Sequence, residues 1–309
     1  FWNQDGYTLD DIWKHIARCA RVCYQSVPKN NDETDYGFLV RTLFRGNDIG
    51  NQPYNTKDII KCHLSVCEHG TVHLKYPLFM PRAAAQATRF IHNQYSRTRE
   101  HEGYIYVTTN MRVLIEHHWI DELEFIDNTP NCPYYMPRHT ISFITDIGAS
   151  RELNRHRVNS ISEESTRYCA YDKGKFGNGI TVAKLPWIPD IDPKDGLSDY
   201  HKGFFNDNEI CNDDGIIQAQ YAESWNAVDW FLYGLQICDL VYRKTRELGW
   251  TAQQAREILP LNTKTQVVHT AFVDDWEHWL ALRSSEVSGK VHPMMAELAK
   301  QLVKQVYPE

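Results

Sequence analysis

Between residues 151 and 169 the sequence sets four arginines, three glutamates and a histidine directly after an apolar, strand-like run. So much fixed charge cannot enter an apolar interior unpaired, because a buried charge without a partner is strongly destabilising. The segment must lie at a surface, pair internally, or surround an anion. For charge alone, a solvated cluster or an internal salt-bridge network is the plainer account. Arginine's planar fork of donors nevertheless suits phosphate or carboxylate two bonds at a time, and neighbouring glutamates can hold such forks in place.

The local pattern puts this charge at the end of a folded element. Residues 138–147 alternate so that Ile141, Phe143 and Thr145 share one side of a strand. Gly148-Ala149 reads as a turn, after which Ser150 caps a short helix with Arg151 and Arg155 on one face. Residues 160–164 are too polar for a packed element and read as a loop. Strand, turn, short helix and polar loop together form a place to bind something.

The segments before it read mainly as scaffold. Thr8 caps a helix whose stripe is Leu9, Ile12, Ile16, Ala20 and Cys23, and a second helix runs over 35–44 to Gly46. His69 and His73 have the i, i+4 spacing of a helical metal site, with Glu68 beside them. Gly70, Thr71 and Val72 favour strand instead, so the metal reading is rejected. Residues 75–137 read as an insertion, with helix over 83–95, strand over 104–108 and helix over 111–126. Its arginines 82, 89, 97 and 99 form either a basic face or a solvated surface, and the solvated surface is the plainer reading.

Downstream, residues 172–215 form a long loop, and the Gly-rich piece at 174–179 lacks the Gly-Lys-Ser/Thr ending of a phosphate loop. Residues 216–248 carry the longest helical pattern, with Tyr221, Trp225, Val228, Leu232 and Leu235 in register and Gly249 as the stop. Its apolar surface is wider than one stripe, as for burial on two sides or at a subunit contact. Thr251-x-x-Gln254 is a capping box opening a short helix that carries Arg256 and ends by Pro260. After a strand over 263–272, Asp274 or Asp275 caps a helix with Trp276, Trp279, Leu280 and Arg283 on one stripe. An arginine continuing an apolar stripe needs a partner, either an acidic side chain or a ligand.

Composition bounds the function. The 309 residues are 42% hydrophobic and 24% charged, as in an ordinary globular protein, and a net charge of -7 argues against a general nucleic-acid binder. Eight cysteines lie scattered without a C-x-x-C pair, which reads as reduced thiols in a cytosolic protein. No apolar run approaches the length of a membrane span, and no signal-peptide pattern opens the chain.

Arg155-His156-Arg157, seven further residues and then Ser165, followed by Arg167-Tyr168, resemble the R-H-R-x7-S signature of flavin-dependent thymidylate synthases, the ThyX family. The runs 63–69, 255–260 and 276–283 also resemble segments of that family, and the whole is closest in pattern to its longer viral or bacterial members. The resemblance implies an α/β (α+β) fold, a twisted mixed sheet flanked by helices, in a single domain over 1–309. It implies reductive methylation of dUMP to dTMP, with methylenetetrahydrofolate as carbon donor and NADPH-reduced FAD as hydride source. It implies a homotetramer in the cytoplasm (of the host, if viral), no metal, and neither nucleic-acid nor membrane partners.

Carried over residue by residue, the resemblance gives Arg283 the catalytic role of activating the uracil. Glu152, Arg155, Glu163, Glu164 and Ser165 match dUMP-contacting positions, as do Thr166, Arg167, Arg256 and Arg283. His63, Ser65, Glu68 and Arg155 match FAD-contacting ones, as do His156, Arg157, Glu163 and His278. Ser65 stands where threonine is frequent, Glu152 where glutamine is, and Ser162 where asparagine is. Phe272 and Asp274 replace an Asn and an Arg that serve the flavin in compact members. Three rival readings remain. A cysteine-dependent thymidylate synthase would need an activated Pro-Cys-His cysteine, which is missing; the others are a non-catalytic flavin- or nucleotide-binding relative and a structural oligomer with interface ion pairs.

Overall fold

The computed structural model describes residues 1–26, 32–50, 55–172, 179–188, 226–284 and 290–306. Most of the 172–215 loop, nearly all of the Gly-rich piece, and Tyr221 and Trp225 lie outside them. The chain divides into two compact units, one made of residues 1–169 and 264–309 and the other of 170–263, where the sequence suggests one domain with a long loop.

The first unit begins with α1 (Leu9–Tyr24), capped by Thr8 and Asp11 in a reciprocal capping box, and α2 (Asp35–Thr42), capped by Thr34. A single turn, α3 (Thr56–Ile59), precedes a 3-10 turn at Leu64–His69. The first sheet follows. Strand β1 (Thr71–Pro77) leads through α4 (Pro81–Ile91) to β2 (Arg97–His101), β3 (Tyr104–Asn110) and α5 (Met111–Glu116). The order is β1-β3-β2, all antiparallel, and Glu102-Gly103, both at positive φ, close the β2–β3 hairpin.

Residues 75–137 are no appendage: Phe90, Val107, Met111 and Leu114 share one buried cluster with Ile12 and Ile16 of α1. Gly70 permits this packing, because a Cβ there would lie 2.5 Å from Ile16 Cδ1. The helix expected over 111–126 breaks after Glu116, where His118 takes a positive φ, and resumes as a 3-10 turn at Ile120–Phe125.

The second sheet contains β4 (Arg138–Asp146), then α6 (Ile147–Leu153) and β5 (Ser160–Glu163). In the second unit α7 (Ala227–Glu247) is capped by Asn226 and Asp229, and α8 (Ala252–Ala255) has the expected Thr251–Gln254 box. Tyr171, Tyr242 and Ala255 form its small core. Back in the first unit, β6 (Lys264–Phe272) runs straight into α9 (Val273–Ser284), and α10 (Pro293–Val306) closes the described chain. The order β4-β6-β5 is again antiparallel, so the class is α+β, with two antiparallel sheets in place of one mixed sheet.

Two local readings are corrected. Asp146, not Ser150, caps α6, its Oδ1 accepting from Ala149 N–H at 2.6 Å, so Gly148 and Ala149 lie inside the helix. Residues 160–163 are a strand. Their hydroxyls are buried because each finds a partner: Ser162 Oγ pairs with His69 Nε2 at 2.9 Å, and Ser160 Oγ accepts from Arg138 Nη2 at 3.2 Å.

Candidate functional site

Arg283 reaches from the last turn of α9 to the end of α6. Its Nη1 donates to Glu152 Oε2 at 2.9 Å, its Nη2 to the Glu152 carbonyl at 3.4 Å, and its Nε to His156 Nε2 at 3.3 Å. The Trp276 and Trp279 rings, both buried, anchor α9 against this sheet, so the stripe delivers Arg283 to a half-buried position. The partner demanded by an arginine on an apolar stripe is thus Glu152, 131 residues away in sequence. His156 is held down to about 4 by burial first and by the Arg283 charge second, so at neutral pH it is uncharged. Since Nε2 accepts from Arg283, the ring proton sits on Nδ1. A guanidinium has five N–H donors, and three are spoken for here, which leaves two for a ligand.

The end of β5 carries the second group. Glu163 accepts from Asn154 Nδ2 at 2.9 Å and Thr265 Oγ1 at 3.3 Å, which braces the strand against the loop after α6 and against β6. Glu164 turns inward to Lys264 Nζ at 2.8 Å and Gln25 Nε2 at 3.3 Å, with its side chain 1% exposed. The Ser165 backbone N–H binds the Cys23 carbonyl at the end of α1, and its Oγ accepts from Arg167 N–H at 3.3 Å. The Arg167 guanidinium lies over the Tyr168 ring at 5.4 Å. Thr166 is half-buried, whereas Arg155 and Arg167 project to solvent.

A cleft of about 280 Å³ opens where the two sheets of this unit approach each other, and its lining includes Glu68, Arg97, Asn110, Arg138, Arg157 and Phe272. Glu68 is ion-paired with Arg112, which also holds Glu116 at 2.7 Å. Arg138 donates to the Glu68 carbonyl at 3.0 Å and to Thr71 Oγ1 at 3.1 Å, while its buried Nε has no partner. Burial lowers the Arg138 pKa to about 10, which leaves it charged at neutral pH. The Phe272 ring lies 4.6 Å from the Arg97 guanidinium and 5.5 Å from that of Arg138.

A family model described as thymidylate synthase complementing protein, Thy1, matches residues 81–309. The chain belongs to the Thy1 family. A probable flavin-dependent thymidylate synthase of Paramecium bursaria Chlorella virus 1 is 25% identical over 169 residues, which is 55% of this chain and 67% of the viral one. Among solved structures, ThyX of Helicobacter pylori, complexed with FAD and dUMP, aligns over 97% of this chain and 90% of its own at 16% identity and TM-score 0.35. The UMP/dUMP methylase PolB of Streptomyces cacaoi aligns over 55% of this chain and 66% of its own at 19% identity and TM-score 0.35. The chain thus spans about two thirds of the length of the viral and Streptomyces relatives.

Within this Thy1 chain, the fold joins Arg283, Glu152 and His156 in one contact group and sets Glu68 and Arg157 in one cleft. Other expected positions stand apart from these contacts. His63 pairs with Arg45 at 3.0 Å, Ser65 is exposed, and Arg256 pairs with Glu257 in the second unit at 3.4 Å; His278, also exposed, lies near enough to His156 to act on it electrostatically. His69 and His73 serve structure: His69 bridges Ser162 and Thr270 Oγ1, and His73 stacks between Tyr7 and Tyr135 at 3.8 and 4.0 Å. Sequence reasoning missed Arg97, Asn110 and Arg138 as cleft residues. Arg97 stands on β2, a strand whose run Arg-Thr-Arg-Glu-His carries no apolar alternation to mark it. Arg89, read as solvated, pairs instead with the fully buried Glu122 at 2.8 Å.

Proposed function

We propose that this chain is a flavin-dependent thymidylate synthase, a methyltransferase that makes dTMP from dUMP with methylenetetrahydrofolate and NADPH. The observation that carries the reading is the meeting of Arg283 with Glu152 and His156. Two segments that resemble family motifs, 131 residues apart from Glu152 to Arg283, converge on one guanidinium. Family membership over 81–309, which includes both segments, supports it.

Glu152 and neutral His156 hold the guanidinium plane, and its two remaining donors can stabilise negative charge developing on a pyrimidine ring. Arg155 and the Ser165 hydroxyl, near the end of α6 and just after β5, are groups that can meet a nucleotide phosphate. The lining of the cleft fits an anionic cofactor such as FAD, since Arg97, Arg138 and Arg157 all stand in it. FAD, when bound, supplies the hydride, and Glu68, Arg157 and His156 are the residues that would hold it.

The reading extends to a cytoplasmic homotetramer. Self-association is supported by α7, on which Trp230, Leu240 and Val241 are 48%, 45% and 36% exposed. The cytoplasm is supported by the seven described cysteines, all free thiols. No described helix is long and apolar enough to cross a membrane. The deciding experiment is the visible spectrum of the purified, FAD-supplemented protein before and after anaerobic NADPH, followed by an assay for dTMP. Flavin that binds and bleaches, with dTMP formed, supports the proposal; binding of dUMP without turnover would make the chain a non-catalytic relative.

A further inference from the structure

Strand β5 is four residues long and lies at one edge of the β4-β6-β5 sheet, so among the described residues only β6 pairs with its backbone. Its sequence, Ser-Ile-Ser-Glu, carries no apolar alternation to tell the two faces apart. A slip of one residue would nevertheless turn every side chain to the opposite face. Ser160 and Ser162 are the buried pair, and Glu163, on the other face, leads directly into Glu164 and Ser165. Something other than hydrophobicity must hold this register.

A continuous line of side-chain hydrogen bonds ends on the strand. It runs from His15 Nε2 of α1 to Thr140 Oγ1 of β4 at 3.0 Å and on to Thr270 Oγ1 of β6 at 2.7 Å. From there it passes to His69 Nδ1 at 2.7 Å, and from His69 Nε2 to Ser162 Oγ at 2.9 Å. None of the five residues is more than 4% exposed, and burial keeps both imidazoles uncharged at neutral pH. A neutral imidazole donates through one nitrogen and accepts through the other, and a hydroxyl can do either, so every link can be made at once. Sliding β5 by one residue would set Ile161 or Glu163 against His69 in place of Ser162. Isoleucine would leave a buried ring nitrogen without a partner, and glutamate would bring a charge into the interior.

We infer that His69 and Thr270 are positioning residues, which act through Ser162 to set the register of β5 and so present Glu163, Glu164 and Ser165 to the nucleotide. The inference rests on the reading of the chain as a dUMP-methylating enzyme. The same register gives a readout that needs no turnover: the Glu164 N–H bonds to the Gln266 carbonyl at 2.8 Å and the Ser165 N–H to the Cys23 carbonyl at 2.9 Å.

The test compares wild-type protein with three variants. Thr270→Val keeps the shape and loses the hydroxyl, Thr270→Ser keeps the hydroxyl, and Ser162→Ala cuts the line at its last link. Amide hydrogen exchange at Glu164 and Ser165, saturation kinetics with dUMP and urea titrations are measured on each. Loss of one buried hydrogen bond predicts exchange at these two amides about 10-fold faster in Thr270→Val and Ser162→Ala, beyond any change in the rest of the sheet. It predicts a KM for dUMP about 3- to 10-fold higher, with kcat changed less and Thr270→Ser close to wild type. If wild type neither binds nor turns over dUMP, the enzyme reading falls and exchange alone decides, faster exchange at 164 and 165 upholding the register role. Variants that lose stability in urea but match wild type both in exchange at these amides and in KM for dUMP overturn the inference.

Discussion

Acid should unfold this protein through its buried imidazoles. His15 and His73 are each 4% exposed and His269 is 0% exposed. Burial is the main cause holding them below the ordinary histidine value, to about 4 for His15 and about 3 for His73 and His269. The unfolded chain, with histidines near about 6.5, therefore binds more protons than the folded one. Their full stabilisation is present above about pH 6.5 and is lost as pH falls toward the folded values. At about pH 5 each folded ring is still neutral and each unfolded ring mostly protonated, so each costs about 2 kcal/mol. Three such rings amount to about 6 kcal/mol, comparable with the whole net stability of many domains. Urea titrations at pH 7.5, 6 and 5 measure the effect. The variant His73→Phe keeps a ring between Tyr7 and Tyr135 and should remove about a third of the pH dependence. Stability that changes by less than about 1 kcal/mol between pH 7.5 and pH 5 would refute the assignment of these rings as buried and neutral.

Other outcomes follow from particular contacts. Arg283→Ala should abolish dTMP formation while the protein stays folded and flavin-bound; Glu152→Ala, which frees the guanidinium, should lower turnover with a smaller loss of nucleotide affinity. Ser165→Ala should weaken dUMP use and leave flavin binding intact, as saturation kinetics and a flavin titration can check. Removing Arg89 leaves Glu122 buried without its cation, so Arg89→Met should destabilise by about 3 kcal/mol in urea titration. Glu122→Gln keeps an acceptor for Arg89 and can donate its amide N–H to the Tyr76 hydroxyl, and should cost much less. Gly70→Ala places a methyl 2.5 Å from Ile16 Cδ1 and should cost about 1–3 kcal/mol by the same measurement.

Elements with strong local signals were legible in the sequence. Thr8 with the stripe at Ile12, Ile16 and Ala20 specifies α1, and Thr251 with Gln254 specifies α8, because caps and periodic burial are short-range. Alternation at Ile141, Phe143 and Thr145 marks β4 for the same reason. The motif Arg155-His156-Arg157 with Ser165 located the candidate site, and the stripe through Trp276 and Trp279 made Arg283 a residue in need of a partner.

Tertiary structure decided what that partner is and what surrounds it. Glu152 lies 131 residues from Arg283, and no pattern at either position carries the distance between them. Strands β2 and β5 have no apolar alternation, since their polar side chains are satisfied by groups far away in sequence, as Ser162 is by His69. Short-range pattern carried the capped helices, the alternating strand β4, the charge that needs a partner, and the family resemblance. Which acid each arginine pairs with depended on long-range packing, because an ion pair is a property of two positions in space and not of either residue alone.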